Sequence, residues 1–211
     1  MDYDWNEYQE WTATKIRTES SKQEALEEWS LGLIGETGEV VDQIKKEKFH
    51  GRPLDKHHLL SEVGDCLFYT ARILDEHEIL LFSPATCSSP ETEHELLLSL
   101  ALRSARFAGE GVALGRRFEE GTAEDSKGPF RRTALRFLDT LTSLATIRGI
   151  TLEEAADDNR RKLDARHPNG NDHAHAAKVK ENNDQPLAES CKELYEVLDK
   201  IKELIGSEHE L

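Results

Sequence analysis

The chain has 211 residues, with 27 Lys or Arg against 42 Asp or Glu and a formal net charge of -15. That balance, without an obvious clustered basic run, excludes nucleic acid as the expected partner. No apolar run approaches the roughly 18 residues that cross a bilayer, and the opening MDYDWNEYQEW lacks the basic-then-apolar pattern of a secretory leader.

Cys66, Cys87 and Cys191 are far apart and form no CxxC pair, which argues against a disulfide scaffold or a zinc knuckle. The expectation is a reduced, soluble, cytoplasmic protein. Hydrophobic residues at 37% beside 33% charged ones, arranged in long periodic segments, favour an all-α protein with a slim core.

A first helix is expected from about Asp4 to Glu19, with Trp5, Tyr8, Trp11 and Ile16 at near-helical spacing; such aromatics are core more often than base-stacking groups. A second is expected over Gln23 to Phe49. It stops at His50-Gly51-Arg52-Pro53, where Gly accepts a left-handed cap and Pro cannot continue the helix. A third runs over Lys56 to Glu78, and two prolines and three serines mark residues 80–93 as a connector.

A fourth helix is expected over Glu95 to Glu119, a fifth over Phe130 to Arg148, and a sixth over Leu152 to Ala165. The last opens on the capping box Thr151–Glu154. Residues 169–186 have almost nothing to bury and read as a linker. In the last segment, 187–205, Leu187, Cys191, Leu194, Leu198, Ile201 and Ile205 make an a/d seam, which could form a short homo-oligomeric coiled coil or dock on the bundle.

Two acidic pairs stand out. Glu36 and Glu39, in GETGE, share one face of the second helix; Glu62 and Asp65, in SEVGD, share one face of the third. Folded as a hairpin about Gly51, the two pairs fall at nearly the same height. Carboxylates gathered without a partner repel and raise one another's pKa. A divalent cation removes that penalty, and an all-oxygen shell suits Mg²⁺ or Mn²⁺. The alternative is two solvated faces of acidic helices. Gly35, Gly38 and Gly64 sit beside these acids at a cost of about 1 kcal/mol each in a helix, which points to close packing or ligand access.

Taken together, LGLIGETGEVVDQIKKEKFHG, LLSEVGDCLFYTARIL and GITLEEAADDNRRKLDARHPNG, with NEYQEW at the start, resemble the MazG-like all-α nucleoside triphosphate pyrophosphohydrolases. The likeness covers about residues 4–170 and is interrupted between Leu80 and about Arg132.

The resemblance implies a helical bundle in which Glu36, Glu39, Glu62 and Asp65 hold Mg²⁺, with Mn²⁺ as a substitute. It implies hydrolysis of a nucleoside triphosphate between the α- and β-phosphates, with Glu36 polarising the attacking water. Lys45, Lys46 or Lys48 would meet phosphate oxygens, although lysines at a helix C-terminus also complement its dipole. Asn159 and Lys162 match late nucleotide-contacting positions, and Arg166 matches a position that is as readily structural.

Two departures from the family pattern are present. Gly35 replaces the first of two adjacent glutamates found in better-known members. The interruption carries a further helix pair, with Ser99-Leu100-Ala101-Leu102 echoing Ser30-Leu31-Gly32-Leu33 at a lag of 69 to 71 residues. At a lag of 69 the acids are replaced by Ala105, Ala108, Arg131 and Ala134.

The expected organisation is therefore a bundle over 1–168, with a metal-binding half at 1–79 and a degenerate second half at 91–168. The second half would stand in for the partner subunit of a dimeric relative. A dUTPase of the all-α class, a di-iron bundle using Glu47-x-x-His50 and Glu91-x-x-His94, and a non-catalytic interaction module are the competing readings. His57-His58 and His173-x-His175 read as incidental.

Overall fold

The computed structural model describes residues 3–16, 21–82, 91–122 and 126–167. By contacts the chain divides into Met1–Asn171 and Asp172–Leu211, and all of the described residues belong to the first unit. The expected linker at 169–186 and heptad helix at 187–205 lie outside the described residues.

The described residues form six helices and no strand: α1 Trp5–Ala13, α2 Lys22–His50, α3 Lys56–Glu76, α4 Glu93–Glu119, α5 Lys127–Ile147 and α6 Leu152–Arg166. No helix among them is long and apolar enough to cross a membrane. The all-α expectation holds.

The helix ends follow local chemistry. Capping boxes open α2 at Ser21–Glu24, α4 at Thr92–Glu95 and α6 at Thr151–Glu154, each satisfying two otherwise orphaned N–H groups. Gly51 closes α2 in the left-handed region at φ 63°. α1 is shorter than expected because the Thr12 and Thr14 hydroxyls donate to the carbonyls of Gln9 and Trp11, both at 2.7 Å, and the chain tightens there. α5 begins earlier than expected, since Pro129 falls in its first turn, where no intrahelical N–H donor is needed.

α2 and α3 form an antiparallel hairpin, and α4 and α5 form a second. The hairpins meet mainly through α2 and α4, which run antiparallel: the Ser30 hydroxyl donates to the Ala108 carbonyl at 3.3 Å, and Lys48 lies 3.8 Å from Glu93. Arg148, just past α5, ties the hairpins by reaching Glu47 at 2.5 Å and Glu93 at 2.7 Å. α6 returns to pack on α3. Leu33, Val40, Ile44, Leu67, Phe107, Phe137 and Leu141 are among the buried residues of one continuous core. Burial of this kind contributes about 1.5–3 kcal/mol per large side chain.

The hairpins share more than their order. α3 and α5 each have 21 residues and start and end 71 positions apart. Both close on the same turn: Ile79 N–H donates to Leu74 and Ile150 N–H to Ala145, each at 2.9 Å, with Glu78 and Gly149 at φ 56° and 66°. α2 and α4 also start 71 positions apart, as do their capping boxes; α4 ends two residues sooner and the connection after it is two residues longer. The lag along α5 is 71 and not 69. Thr133 and Arg136, rather than Arg131 and Ala134, stand at the positions of Glu62 and Asp65.

Candidate metal centre

The α2–α3 hairpin brings the acids to one level. Thr37 Oγ1 lies 3.6 Å from Cys66 Sγ, and Gly32 sits so close under the Tyr69 ring that an added Cβ would lie 2.4 Å from it. In this register Glu36, Glu62 and Asp65 each place a carboxylate oxygen within 4.8 Å of the others. Glu39 lies one turn further along α2 and outside that group. The structure thus joins three of the four expected ligands.

Each carboxylate answers to its surroundings differently. Burial, then a hydrogen bond shared with Glu62, then the charge of Asp65, push Glu36 up to about 9. Near neutral pH it therefore holds a proton. Burial also raises Asp65, although Lys162 beside it works in the opposite direction. Glu62 is met by His58 Nε2 at 2.7 Å, one helical turn away on α3. His58, expected to be incidental, is thus a neighbour of the site; its spacing of four from Glu62 was the available signal.

α6 supplies the partners of Asp65. Asn159 Nδ2 donates to Asp65 Oδ1 at 2.7 Å. Lys162 Nζ donates to Asp65 Oδ2 and, at 2.8 Å, to Ser61 Oγ. Asn159 is itself fixed by Tyr8, whose hydroxyl donates to Asn159 Oδ1 at 3.1 Å inside the core. Tyr8 therefore belongs to the support of the site; aromatic spacing marked it as core but could not reveal the partner of its hydroxyl. Trp5 is also buried, while Trp11 is half-buried and donates to Asp164 at 3.1 Å.

Gly64 makes the approach of α6 feasible. A Cβ there would lie 2.6 Å from the Ala155 carbonyl oxygen and 3.0 Å from Asn159 Cβ. Gly35 and Gly38 have the opposite setting, with nothing within 4 Å of an added Cβ. Of the three glycines beside the acids, one serves close packing and two border open space.

The basic residues divide. Lys162 and Asn159 reach the acidic group, and exposed Arg166 is near enough for its charge to act on Asp65. Lys45 pairs with Asp42 at 2.5 Å, Lys46 pairs with the same carboxylate, and Lys48 faces Glu93. None of these three contacts the acidic group. Along α2, Lys46 lies about 15 Å from Glu36 at 1.5 Å per residue. Glu47 is taken by Arg148, which removes it from a di-iron ligand set.

Three oxygen-donor side chains, partly buried and mutually repelling, are a donor set that fits a hard divalent cation. Within the group, the hydrogen bond between Glu36 and Glu62 and the ammonium of Lys162 beside Asp65 offset part of that repulsion.

Residues 24–78, which span almost all of α2 and α3, match the family model of the MazG nucleotide pyrophosphohydrolase domain. The α2–α3 hairpin is thus MazG-like, and the six-helix arrangement around it is consistent with an all-α bundle of that kind. The match covers the segment that carries Glu36, Glu39, Glu62 and Asp65. No curated protein and no solved structure matches the chain.

Proposed function

We propose that the chain is a Mg²⁺-dependent pyrophosphohydrolase that cleaves a nucleoside triphosphate between the α- and β-phosphates, giving a monophosphate and pyrophosphate. The observation that carries this reading is the convergence of Glu36, Glu62 and Asp65 within 4.8 Å, inside the segment that matches a nucleotide pyrophosphohydrolase domain.

Glu36, Glu62 and Asp65 would hold the cation, with Glu39 positioned on the adjoining turn of α2 to add a ligand from the open side bordered by Gly35 and Gly38. A divalent cation there neutralises charge on the phosphates and acidifies a water. The protein's own groups do the rest. Glu36, ionised when a cation takes the place of its proton, would act as a ligand and would orient the attacking water. Asn159 keeps Asp65 in place, and Tyr8 keeps Asn159 in place. Lys162 neutralises Asp65 until the site fills, after which its ammonium can turn to a phosphate oxygen. Arg166 adds positive charge on the same side.

The test is release of pyrophosphate and the matching monophosphate from a panel of ribo- and deoxyribonucleoside triphosphates with Mg²⁺, dUTP included. Activity on one or more substrates that disappears in Glu62→Gln supports the reading, and a strong preference for dUTP would place the enzyme among dUTPases. No product from any substrate, with no Mg²⁺ binding by calorimetry, would sink it.

A further inference from the structure

A second polar surface lies on the other hairpin, and it carries the opposite charge. Arg106 and Arg117 from α4 and Arg132 and Arg136 from α5 line a groove of about 440 Å³ floored by Leu114 and Phe130. Glu110 is the one carboxylate in its lining among the described residues, and it is paired with Arg106 at 2.7 Å. The Arg117 side chain donates to Ser126 Oγ at 3.5 Å and, among the described residues, to no carboxylate. Among the described residues, Arg132 and Arg136 have no carboxylate partner. Four guanidinium groups thus gather on a chain whose net charge is -15.

The lag of 71 between α3 and α5 gives the groove its meaning. Ser61 and Asp65, the two α3 residues that Lys162 contacts, correspond to Arg132 and Arg136; Glu62 corresponds to Thr133. α2 and α4 start at the same lag of 71, at which Arg106 corresponds to Gly35, the neighbour of Glu36. The α3 face that carries Ser61 and Asp65 thus has arginines at both of those positions on α5. α6 covers the first face, and among the described residues no helix covers the second.

We propose that the α4–α5 groove is a binding site for a phosphate chain, either free polyphosphate or the triphosphate tail of a nucleotide, and that it shares no residue with the acidic centre. The chemistry suits that ligand. Guanidinium forks pair with phosphate oxygens two bonds at a time and keep their charge at every accessible pH. The Thr133 and Ser126 hydroxyls add donors, and the low-dielectric floor of Phe130 and Leu114 strengthens the attraction.

The experiment is titration of the full chain with inorganic tripolyphosphate in EDTA, followed by calorimetry at low and moderate salt. Chelation leaves the acidic centre repulsive to phosphate, so binding reports on the groove. One tripolyphosphate per chain is expected, with affinity falling as salt rises. Arg132→Gln with Arg136→Gln should weaken it at least tenfold, whereas Glu62→Gln should retain it. If the double variant fails to fold by circular dichroism, the single variants decide, and each should weaken binding measurably.

A nucleoside triphosphate that competes with tripolyphosphate identifies the nucleotide as a source; one that does not identifies free polyphosphate, and both uphold the site. Absence of binding, binding indifferent to both arginines, equal loss in Glu62→Gln, or binding of an oligonucleotide without tripolyphosphate would overturn it. Failure here leaves the pyrophosphohydrolase reading intact, because that reading rests on product release with Mg²⁺.

Discussion

The two hairpins use one backbone scheme and reach opposite electrostatic ends. In α2–α3, Glu36, Glu62 and Asp65 converge and α6 presses donors against them; in α4–α5, Arg132 and Arg136 stand on the corresponding face of α5 with Arg106 beside them on α4, and no described helix covers them. The helix lengths and closing turns are alike, so the backbone decides only which positions meet. The side chains at those positions decide whether the meeting place attracts a cation or an anion. Gly64 marks the same contrast in packing: it admits the Ala155 carbonyl, while its counterpart at the lag of 71 is the much larger Leu135.

The sharpest way to break the comparison is to neutralise one hairpin at a time. Glu62→Gln should lower kcat/KM for triphosphate hydrolysis by at least about a hundredfold, since even outer partners of metal ligands are typically worth 10–100-fold. An equal loss from Thr133→Val, measured in the same pyrophosphate assay, would show that the second hairpin shares the chemistry. Next in size are the α6 donors. Lys162→Met and Asn159→Ala should each reduce activity by roughly 10–100-fold with the fold retained, and full activity in both would detach α6 from the site.

The charge state of Glu36 gives a pH signature. Its carboxyl sits near 9 in the folded chain against an ordinary 4.5, so the folded form holds more protons between those values. The associated stability is fully present below 4.5 and is lost as pH rises toward 9. In EDTA, urea midpoints should therefore fall across this window, by up to about 1.4 kcal/mol per pH unit for one proton. Glu36→Gln should flatten the fall; an unchanged slope in that variant would show that Glu36 is not the group responsible.

Smaller effects separate the glycines. Gly64→Ala should destabilise by about 1–3 kcal/mol in chemical denaturation, because backbone oxygen cannot yield as a flexible side-chain end can, and activity should fall with it. Gly35→Ala should do the reverse for stability, adding about 0.4–1 kcal/mol by restricting the unfolded chain. If the open side of α2 admits substrate, its activity should fall even as its melting temperature rises. Unchanged activity would remove Gly35 from the substrate's path.

Much of the fold could be read along the chain because helix signals are local. The capping boxes at Thr151–Glu154 and Ser21–Glu24, and the Gly51 stop, act through neighbours a few residues apart. The level meeting of Glu36 with Glu62 and Asp65 was also legible, since a short turn fixes the register of two antiparallel helices. Lys45 and Lys46 pair with Asp42, a choice that spacing alone does not reveal because a flexible ammonium can reach several carboxylates. The arginine groove escaped notice for a different reason: its residues are spread from 106 to 136 and form no basic run.

By itself, then, the sequence determined the all-α class, the helix boundaries to within a turn at most ends, and the pair of acidic faces, because these depend on a 3.6-residue period and on caps. Tertiary structure decided what those faces meet. Gly64 let α6 reach Asp65, and two helices gathered arginines from distant positions into one groove. Such outcomes depend on volume and charge across helices, and no local pattern encodes them.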